Sequence, residues 1–413
     1  MNTNITNHKR SNSGSAFQLM TKPIGPTCNL DCEYCYYLEK KNLFPSTKNF
    51  LMSDEVLESF IRQYIESQNG PEVNFSWQGG EPTLAGINFF KKVVDLQLKF
   101  AGNKKIGNAF QTNGLLLNDE WGNFLAEYKF FVGISIDGPE KLHDKYRKNF
   151  AGKPSFNKVM HGIELLKKYG VEFNTLTVVN DYNSHYPLDV YNFLKSVGSG
   201  YMQFIPIVER RAVKKNLSLK LIAPRDSEKA KIMPWSVNAL QYGKFLNLIF
   251  DEWVRYDVGN IFVQIFDVIL ANWAGQDPGL CVFQEICGNA TVIEHNGNLY
   301  SCDHFVYDRY LLGNILEKSL KTMMNSDRQI SFGIDKNNKL PKKCLKCEFL
   351  FCCWGGCPKH RILEVEGRNK QLNYFCKGYK LFFSHVKPYM EFMLGEIKNN
   401  RTPANVMEWS PKM

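Results

Sequence analysis

Twelve cysteines are placed so that few architectures remain open to the chain. Three fall within Cys28–Cys35 and nine within Cys281–Cys376, with none between. Cysteines serving as small buried hydrophobes would be scattered through the cores, so crowding at two places marks sites. The start, Met1–Ser15, is polar and basic with no apolar stretch of an export signal. The expectation is therefore a cytoplasmic protein, in which thiols stay reduced and their clusters bind metal or do redox chemistry.

The length of 413 residues allows two or three cores. With 44% apolar and 22% charged residues the chain reads as globular. The most apolar stretch, Ile261–Ala274, is interrupted by Gln264, Asp267 and Asn272, so no membrane span is expected. The net charge of +10 is spread along the chain without a nucleic-acid-binding motif, which reads as a solvated surface and predicts no nucleic-acid partner.

From Phe17 to Val208 short apolar runs alternate with helical patterns. The predicted strands are Phe17–Lys22, Val73–Trp77, Asn108–Thr112, Phe131–Ile136, Phe173–Val179 and Tyr201–Ile207. Helices are predicted over Ser53–Ser67, with Ser53 as N-cap, and over Asn88–Phe100, Ser155–Tyr169 and Ser184–Ser196. Six such alternations predict parallel βαβ units, as an open doubly wound sheet or a whole or partial barrel. Arg210–Ser236 has no clear period and reads as a mobile connection or lid. Helices are predicted near Leu240–Tyr256 and Ile261–Trp273, then a loop-rich, cysteine-rich segment with few long regular patterns, and a frayed tail from Lys398.

The first cluster, Cys28-x3-Cys32-x2-Cys35, directly follows the first predicted strand. Three thiolates on one tight loop suit three irons of a 4Fe-4S cube, whose fourth iron stays open to a small molecule. Zinc would complete four ligands from nearby pairs, and no histidine lies close in sequence to do so. The later group, Cys281-x5-Cys287-x14-Cys302 and Cys344-x2-Cys347-x5-Cys353-x3-Cys357-x18-Cys376, holds eight cysteines, enough for two closed four-thiolate sites. Cys352 is left over.

The three-cysteine loop, with Tyr34 before its last cysteine, resembles the signature of the radical S-adenosylmethionine (SAM) superfamily. The resemblance implies an α/β fold built on a partial (β/α)6 TIM-type barrel. It also implies that Gly79-Gly80-Glu81 contacts the methionine amino group of SAM, Ser135 and Arg147 its polar groups and Val208 its adenine. The cysteine run from Cys344 resembles the SPASM extension. That likeness implies one auxiliary cluster on Cys281, Cys287, Cys302 and Cys357 and a second on Cys344, Cys347, Cys353 and Cys376, three 4Fe-4S clusters in all. It divides the chain into a disordered tail (1–15), a barrel with its lid or connection (16–236), a helical bridge (237–278), a SPASM domain (279–385) and a C-terminal helix and tail (386–413).

Trp77-Gln-Gly-Gly-Glu-Pro82, Gln111-Thr-Asn-Gly114, Ser135-Ile-Asp-Gly-Pro139, Ser301-Cys-Asp-His304 and Trp354-Gly-Gly-Cys-Pro358 are similar to the anaerobic sulfatase-maturating enzymes. That likeness implies oxidation of a cysteine or serine, in a motif of the form Cys/Ser-x-Pro/Ala-x-Arg, to Cα-formylglycine. It implies hydrogen abstraction from Cβ by a 5′-deoxyadenosyl radical, Asp303 as general base, Tyr37 and Gln78 as substrate contacts and electron transfer to the auxiliary clusters. The partners implied are a sulfatase polypeptide and a reductant such as flavodoxin or ferredoxin, with the enzyme acting as a monomer. A rival of similar make-up is a SPASM maturase that crosslinks a ribosomal peptide. The roughly fifteen polar residues before the first strand leave little room for that rival's leader-binding domain. A pure electron carrier would close every cluster, which an open three-cysteine site does not do.

Overall fold

The computed structural model describes residues 17–213, 219–224, 226, 230–365 and 370–409. The expected disordered tail over 1–15 and the last residues, 410–413, lie outside them. Six parallel strands form the heart of the fold: β1 (Gln18–Thr21), β2 (Glu72–Trp77), β3 (Lys105–Thr112), β4 (Phe131–Ser135), β5 (Phe173–Val179) and β6 (Tyr201–Pro206). They lie side by side in chain order, for example with Glu72 to Trp77 opposite Lys105 to Phe110. Each crossover carries a helix: Asp54–Ser67, Ile87–Phe100, Asp119–Glu127, Phe156–Lys168 and Pro187–Val197. The first begins where expected, since the Ser53 side chain accepts from the Val56 N–H and satisfies an orphan donor of the first turn.

The apolar faces of strands and helices meet in a core dense in aromatic rings. Trp77 lies 6.0 Å from Phe75 and 5.5 Å from Phe90, which in turn meets Phe110 at 5.0 Å. Burying one such phenylalanine contributes about 1.5–3 kcal/mol. That packing fixes the strands rigidly enough for loops at their carboxyl ends to carry a site.

Between β6 and the next barrel element runs a two-stranded ribbon, β7 (Arg210–Ala212) against β8 (Ala230–Ile232). The described part of this connection, expected as a mobile lid without regular structure, is tied down at several points. The Glu39 carboxylate accepts from the Lys220 and Leu221 N–H groups, and Arg309 bonds the Pro224 carbonyl and pairs with Asp226. Residues 214–218, 225 and 227–229 of that segment are outside the described residues.

The sheet continues on both sides of the six strands. β9 (Phe262–Val263) pairs with β6. On the other side β10 (Ala290–Ile293) joins β1 in parallel, followed by the antiparallel β11 (Asn298–Tyr300) and β12 (Leu311–Asn314). The cysteine-rich segment is thus built onto the first barrel strand, in a ten-stranded sheet whose two outer strands are not paired to each other among the described residues. A short hairpin, β13 (Arg361–Glu364) with β14 (Gln371–Asn373), completes it.

Two expectations for the C-terminal part are corrected. It is not poor in long elements, because Asp327–Asn338 and Cys376–Lys398 are helices, the second of 23 residues. That helix crosses Ala239–Tyr256 at a glycine contact: a Cβ on Gly378 would fall 1.9 Å from the Ala239 carbonyl oxygen and one on Gly243 2.6 Å from that of Gly378. Nor is the stretch after Lys398 frayed, as far as it is described. Val406 is buried and Trp409 stacks 4.7 Å from Phe392, which holds the turn Pro403–Glu408 against the helix. Among the described residues no helix is long and apolar enough to cross a membrane.

Candidate active site and cluster-binding loops

The Cys28–Cys35 loop leaves the end of β1 and is fastened to the loop after β4. The Asp31 N–H donates to the Lys148 carbonyl and the Glu33 N–H to that of Tyr146, while the Cys35 N–H closes a turn on Cys32. The three thiols are largely buried, and burial pushes Cys28 up to about 12 and raises Cys32 and Cys35 as well. Thiols so placed ionise only against a cationic group that replaces water. Among the described residues no three cysteine, histidine or carboxylate groups stand close enough to hold a single ion. A cube, which spreads its ligands over separate irons, suits the donors better than a lone zinc, which draws its thiolates into one tetrahedron.

Gly79 and Gly80 follow β2 and run against this loop. A Cβ on Gly80 would fall 1.8 Å from the Thr27 carbonyl oxygen, one residue before Cys28, so nothing larger than glycine fits. The Gly80 and Glu81 N–H groups bond the Gly25 and Thr27 carbonyls. The Glu81 carboxylate is fully occupied inside the fold: Oε1 accepts from Thr83 and Thr112, and Oε2 from the Asn113 N–H at 2.7 Å. Any contact to an amino group from this motif is left to the backbone. Ser135 is part-exposed at the end of β4, its Oγ accepting from Gln111 at 3.0 Å.

Arg147 is buried and clasps Asp137 in a two-pronged pair, Nε to Oδ2 at 2.9 Å and Nη2 to Oδ1 at 3.1 Å. Its Nη1 makes no hydrogen bond to the described residues. Asp137 also receives the Tyr34 hydroxyl and the Val178 N–H, and its own N–H donates to Nδ1 of the buried His143. Tyr34 is thereby a buried prop of the Asp137–Arg147 pair beside Cys32. Val208 is buried just beyond β6, and Gln78, part-exposed at the end of β2, donates its N–H to the Thr21 carbonyl.

Asp303 follows Cys302 in the short helix after β11, and the pairing of β10 with β1 brings it to the Cys35 side of the barrel. The Tyr36 hydroxyl donates to its Oδ2 at 2.5 Å, and the Lys22 ammonium lies 2.7 Å from Oδ1. That ammonium is the ion-pair partner of Oδ1, which has no other polar partner among the described residues. Burial raises the pKa of this group, but Lys22 and His304 outweigh it and hold the carboxyl well below the usual carboxylate range. The Tyr37 hydroxyl is turned the other way, donating to Glu294 Oε1 at 2.6 Å, while its ring lies under the Lys22 ammonium.

The eight later cysteines gather in two sets. Cys281 and Cys302 pack with Cys287, Phe305 and Phe332, and the Cys357 thiol is the strongest charge neighbour of both Cys281 and Cys302. Cys344, Cys347, Cys353 and Cys376 line one cavity of about 100 Å³ with Phe349, Leu372 and Tyr379. The turn that sends Cys353 and Cys357 to different sets is Trp354-Gly-Gly, three successive residues at φ 45°, 69° and 61°. Cys352 is in neither; it is sealed in the core with its thiol toward the Phe349 carbonyl. Lys22, Tyr36, Asp137 and Glu294 are members of the site that no motif singled out, though Asp137 lies within one.

The sequence pattern of the radical SAM superfamily matches residues 23–194, and that of the SPASM iron-sulfur cluster-binding domain residues 281–348. The serine-type anaerobic sulfatase-maturating enzyme of Bacteroides thetaiotaomicron is 52% identical over 94% of both chains. The cysteine-type enzyme of Clostridium perfringens is 36% identical over 92% of this chain and 99% of its own. The solved structure of native anSMEcpe with bound AdoMet and Cp18Cys peptide superposes with a TM-score of 0.80 at 34% identity, covering 92% of this chain and 99% of that one.

Proposed function

Since this chain belongs to the anaerobic sulfatase-maturating enzymes of the radical SAM superfamily, we propose that it oxidises a serine or cysteine of a sulfatase polypeptide to Cα-formylglycine with Asp303 as the base. Cys28, Cys32 and Cys35 would hold the SAM-binding cluster, and the two later sets of four would hold the auxiliary clusters, three 4Fe-4S clusters in all. When bound, these groups supply the 5′-deoxyadenosyl radical that takes a hydrogen atom from the target Cβ and accept the electron that the substrate radical gives up.

The chain's own part is to place and deprotonate the substrate. Gly79 and Gly80 offer backbone to the SAM amino group, while Glu81 holds their turn on β3 through Thr112 and Asn113. Nη1 of Arg147, with Ser135, would hold the polar end of SAM, and Val208 would border its adenine. Gln78, at the strand end, and Tyr37 flank the substrate. Asp303, a buried carboxylate paired with Lys22 and met by Tyr36 next to Cys35, takes the hydroxyl or thiol proton, and this carboxylate beside the first cysteine loop is the observation that carries the reading. The partners are the sulfatase segment and a flavodoxin- or ferredoxin-type reductant, and the enzyme works as a cytoplasmic monomer.

The test is anaerobic incubation of reconstituted protein with SAM, reductant and peptides carrying Ser-x-Ala-x-Arg or Cys-x-Pro-x-Arg. The 52% identical relative is named serine-type, so the serine peptide is tried first. Mass spectrometry should show formylglycine and equimolar 5′-deoxyadenosine. An intrapeptide thioether would move the assignment to a crosslinking maturase, and no 5′-deoxyadenosine at all would end the radical reading.

A further inference from the structure

Lys336 lies in the last turn of the helix Asp327–Asn338 and is fully buried. Its ammonium donates to the carbonyls of Cys281 at 2.7 Å, of Val282 at 2.9 Å and of Gln284. All three of its protons therefore serve the loop that carries Cys281. Among the described residues no carboxylate pairs with it; the charged groups it faces are Cys287, Cys281 and Cys357 and the like charge of Arg361. A sealed cation with only neutral carbonyls on its protons lacks a counter-charge, and leaving it so is costly. The helix is also locked in place, since Arg361 bonds the Lys336 carbonyl at 2.6 Å and those of Gly355 and Trp354 in the turn before Cys357.

We propose that Lys336 is the built-in counter-ion of the first auxiliary cluster and raises its reduction potential, which makes this site a better acceptor of the substrate's electron. The inference rests on the reading that Cys281, Cys287, Cys302 and Cys357 hold a 4Fe-4S cluster. Such a site carries a net charge of about −2 when oxidised and gains one further negative charge on reduction. The electron comes from the substrate radical and its proton goes to Asp303, so the step balances. A fixed positive charge in a water-poor setting favours the more negative form, as a buried cation favours any neighbouring anion. Lys336 touches backbone rather than substrate and is a positioning residue for electron transfer.

The experiment compares Lys336→Met, Lys336→Gln and Lys336→Arg with the parent enzyme, each anaerobically reconstituted and titrated by potential-controlled electron paramagnetic resonance. Loaded Lys336→Met should show the first auxiliary cluster harder to reduce by at least tenfold, about 59 mV for a one-electron couple. The other two clusters should keep their potentials, and Lys336→Arg should stay near the parent. An unchanged potential in fully loaded Lys336→Met overturns the proposal. If the two neutral variants fail to load this cluster while Lys336→Arg loads it, the charge is what the site needs and the counter-ion role stands. If Lys336→Arg fails with them, the residue acts by shape and the proposal falls. Iron and sulfide at only one cube per chain in the parent protein would instead sink the ligand assignment itself.

Discussion

Lys22, on the loop after β1, holds its ammonium 2.7 Å from Oδ1 of Asp303, and the two side chains are only 3% and 14% exposed. The pair spans the junction between the first barrel strand and the cysteine-rich segment, so it ties the proposed base to the loop that follows β1. Lys22 is foremost among the influences that lower the Asp303 pKa against its burial, and keeps the carboxyl ionised throughout the neutral range.

Replacing Lys22 by methionine leaves the carboxylate buried without its partner, a change that costs on the order of 3 kcal/mol in other buried pairs. The Asp303 pKa then rises, so the group is protonated, and useless as a base, up to a higher pH. The acid limb of the pH profile for formylglycine formation should move to higher pH in Lys22→Met, while SAM cleavage keeps its own profile. An acid limb that stays in place would show that Lys22 does not set the state of the base.

Asp303→Asn keeps the size and the Tyr36 contact but cannot take a proton. Release of 5′-deoxyadenosine in the presence of peptide should continue, and aldehyde should fall by about 100-fold or more. Full product yield from this variant would remove Asp303 from the reaction.

These partners differ in how far the sequence reveals them. Asp303 is legible because it adjoins a cysteine of known spacing, and β1–β6 because strict alternation and helical periods survive in every βαβ unit. Lys22 and Tyr36 carry no pattern of their own; only the pairing of β10 with β1 makes them neighbours of Asp303. Of the helix Cys376–Lys398 only the part from residue 386 is foreseen, because Gly378, Pro388 and Gly395 break its period, although Gly378 is there to admit the Ala239 backbone. β10–β12 are three or four residues long, too short to show a period. Cys352 and Cys353 are separable on spacing, and their burial explains the choice: one side chain packs in the core and the other opens on the cavity.

His143 supports the same site from below, accepting the Asp137 N–H on Nδ1 and placing Nε2 3.0 Å from Ser155. Burial and the nearby Arg147 push it down to about 3, so the folded protein keeps it neutral where an unfolded chain would protonate it. Between about pH 6.5 and 3 the unfolded state binds the extra proton. Its contribution is therefore intact above pH 6.5 and is lost as the pH falls, by roughly 3 kcal/mol between pH 7 and pH 4. Thermal midpoints of His143→Gln should drop less steeply over that interval than those of the parent. Parallel slopes would place the acid sensitivity elsewhere.

Gly80 offers a test of the close approach between the strand-end turn and the cysteine loop. An added Cβ meets the Thr27 backbone, which cannot yield as a side-chain tip could. Gly80→Ala should displace the Cys28 loop, and reconstituted protein should lose about four irons, one cube, together with SAM cleavage. Gly395→Ala, whose new methyl meets open space on a helix, is the control and should gain about 0.5–1 kcal/mol without loss of iron.

The adjacent cysteines give the sharpest check on the second auxiliary site. Cys353 lines the cavity with Cys344, Cys347 and Cys376, whereas Cys352 is sealed in the core and burial raises its thiol far above the ordinary range. A thiol held neutral among apolar neighbours is a packing group, so Cys352→Ala should cost some stability and leave iron at about twelve per chain, three cubes. Cys353→Ala removes a ligand from a four-thiolate set and should lower iron to about eight, with the spectrum of one auxiliary cluster gone and the SAM-binding cluster unchanged. If Cys352→Ala loses the iron instead, the helical turn Leu350–Cys353 must be rotated in the loaded protein, and the ligand set reads Cys344, Cys347, Cys352 and Cys376.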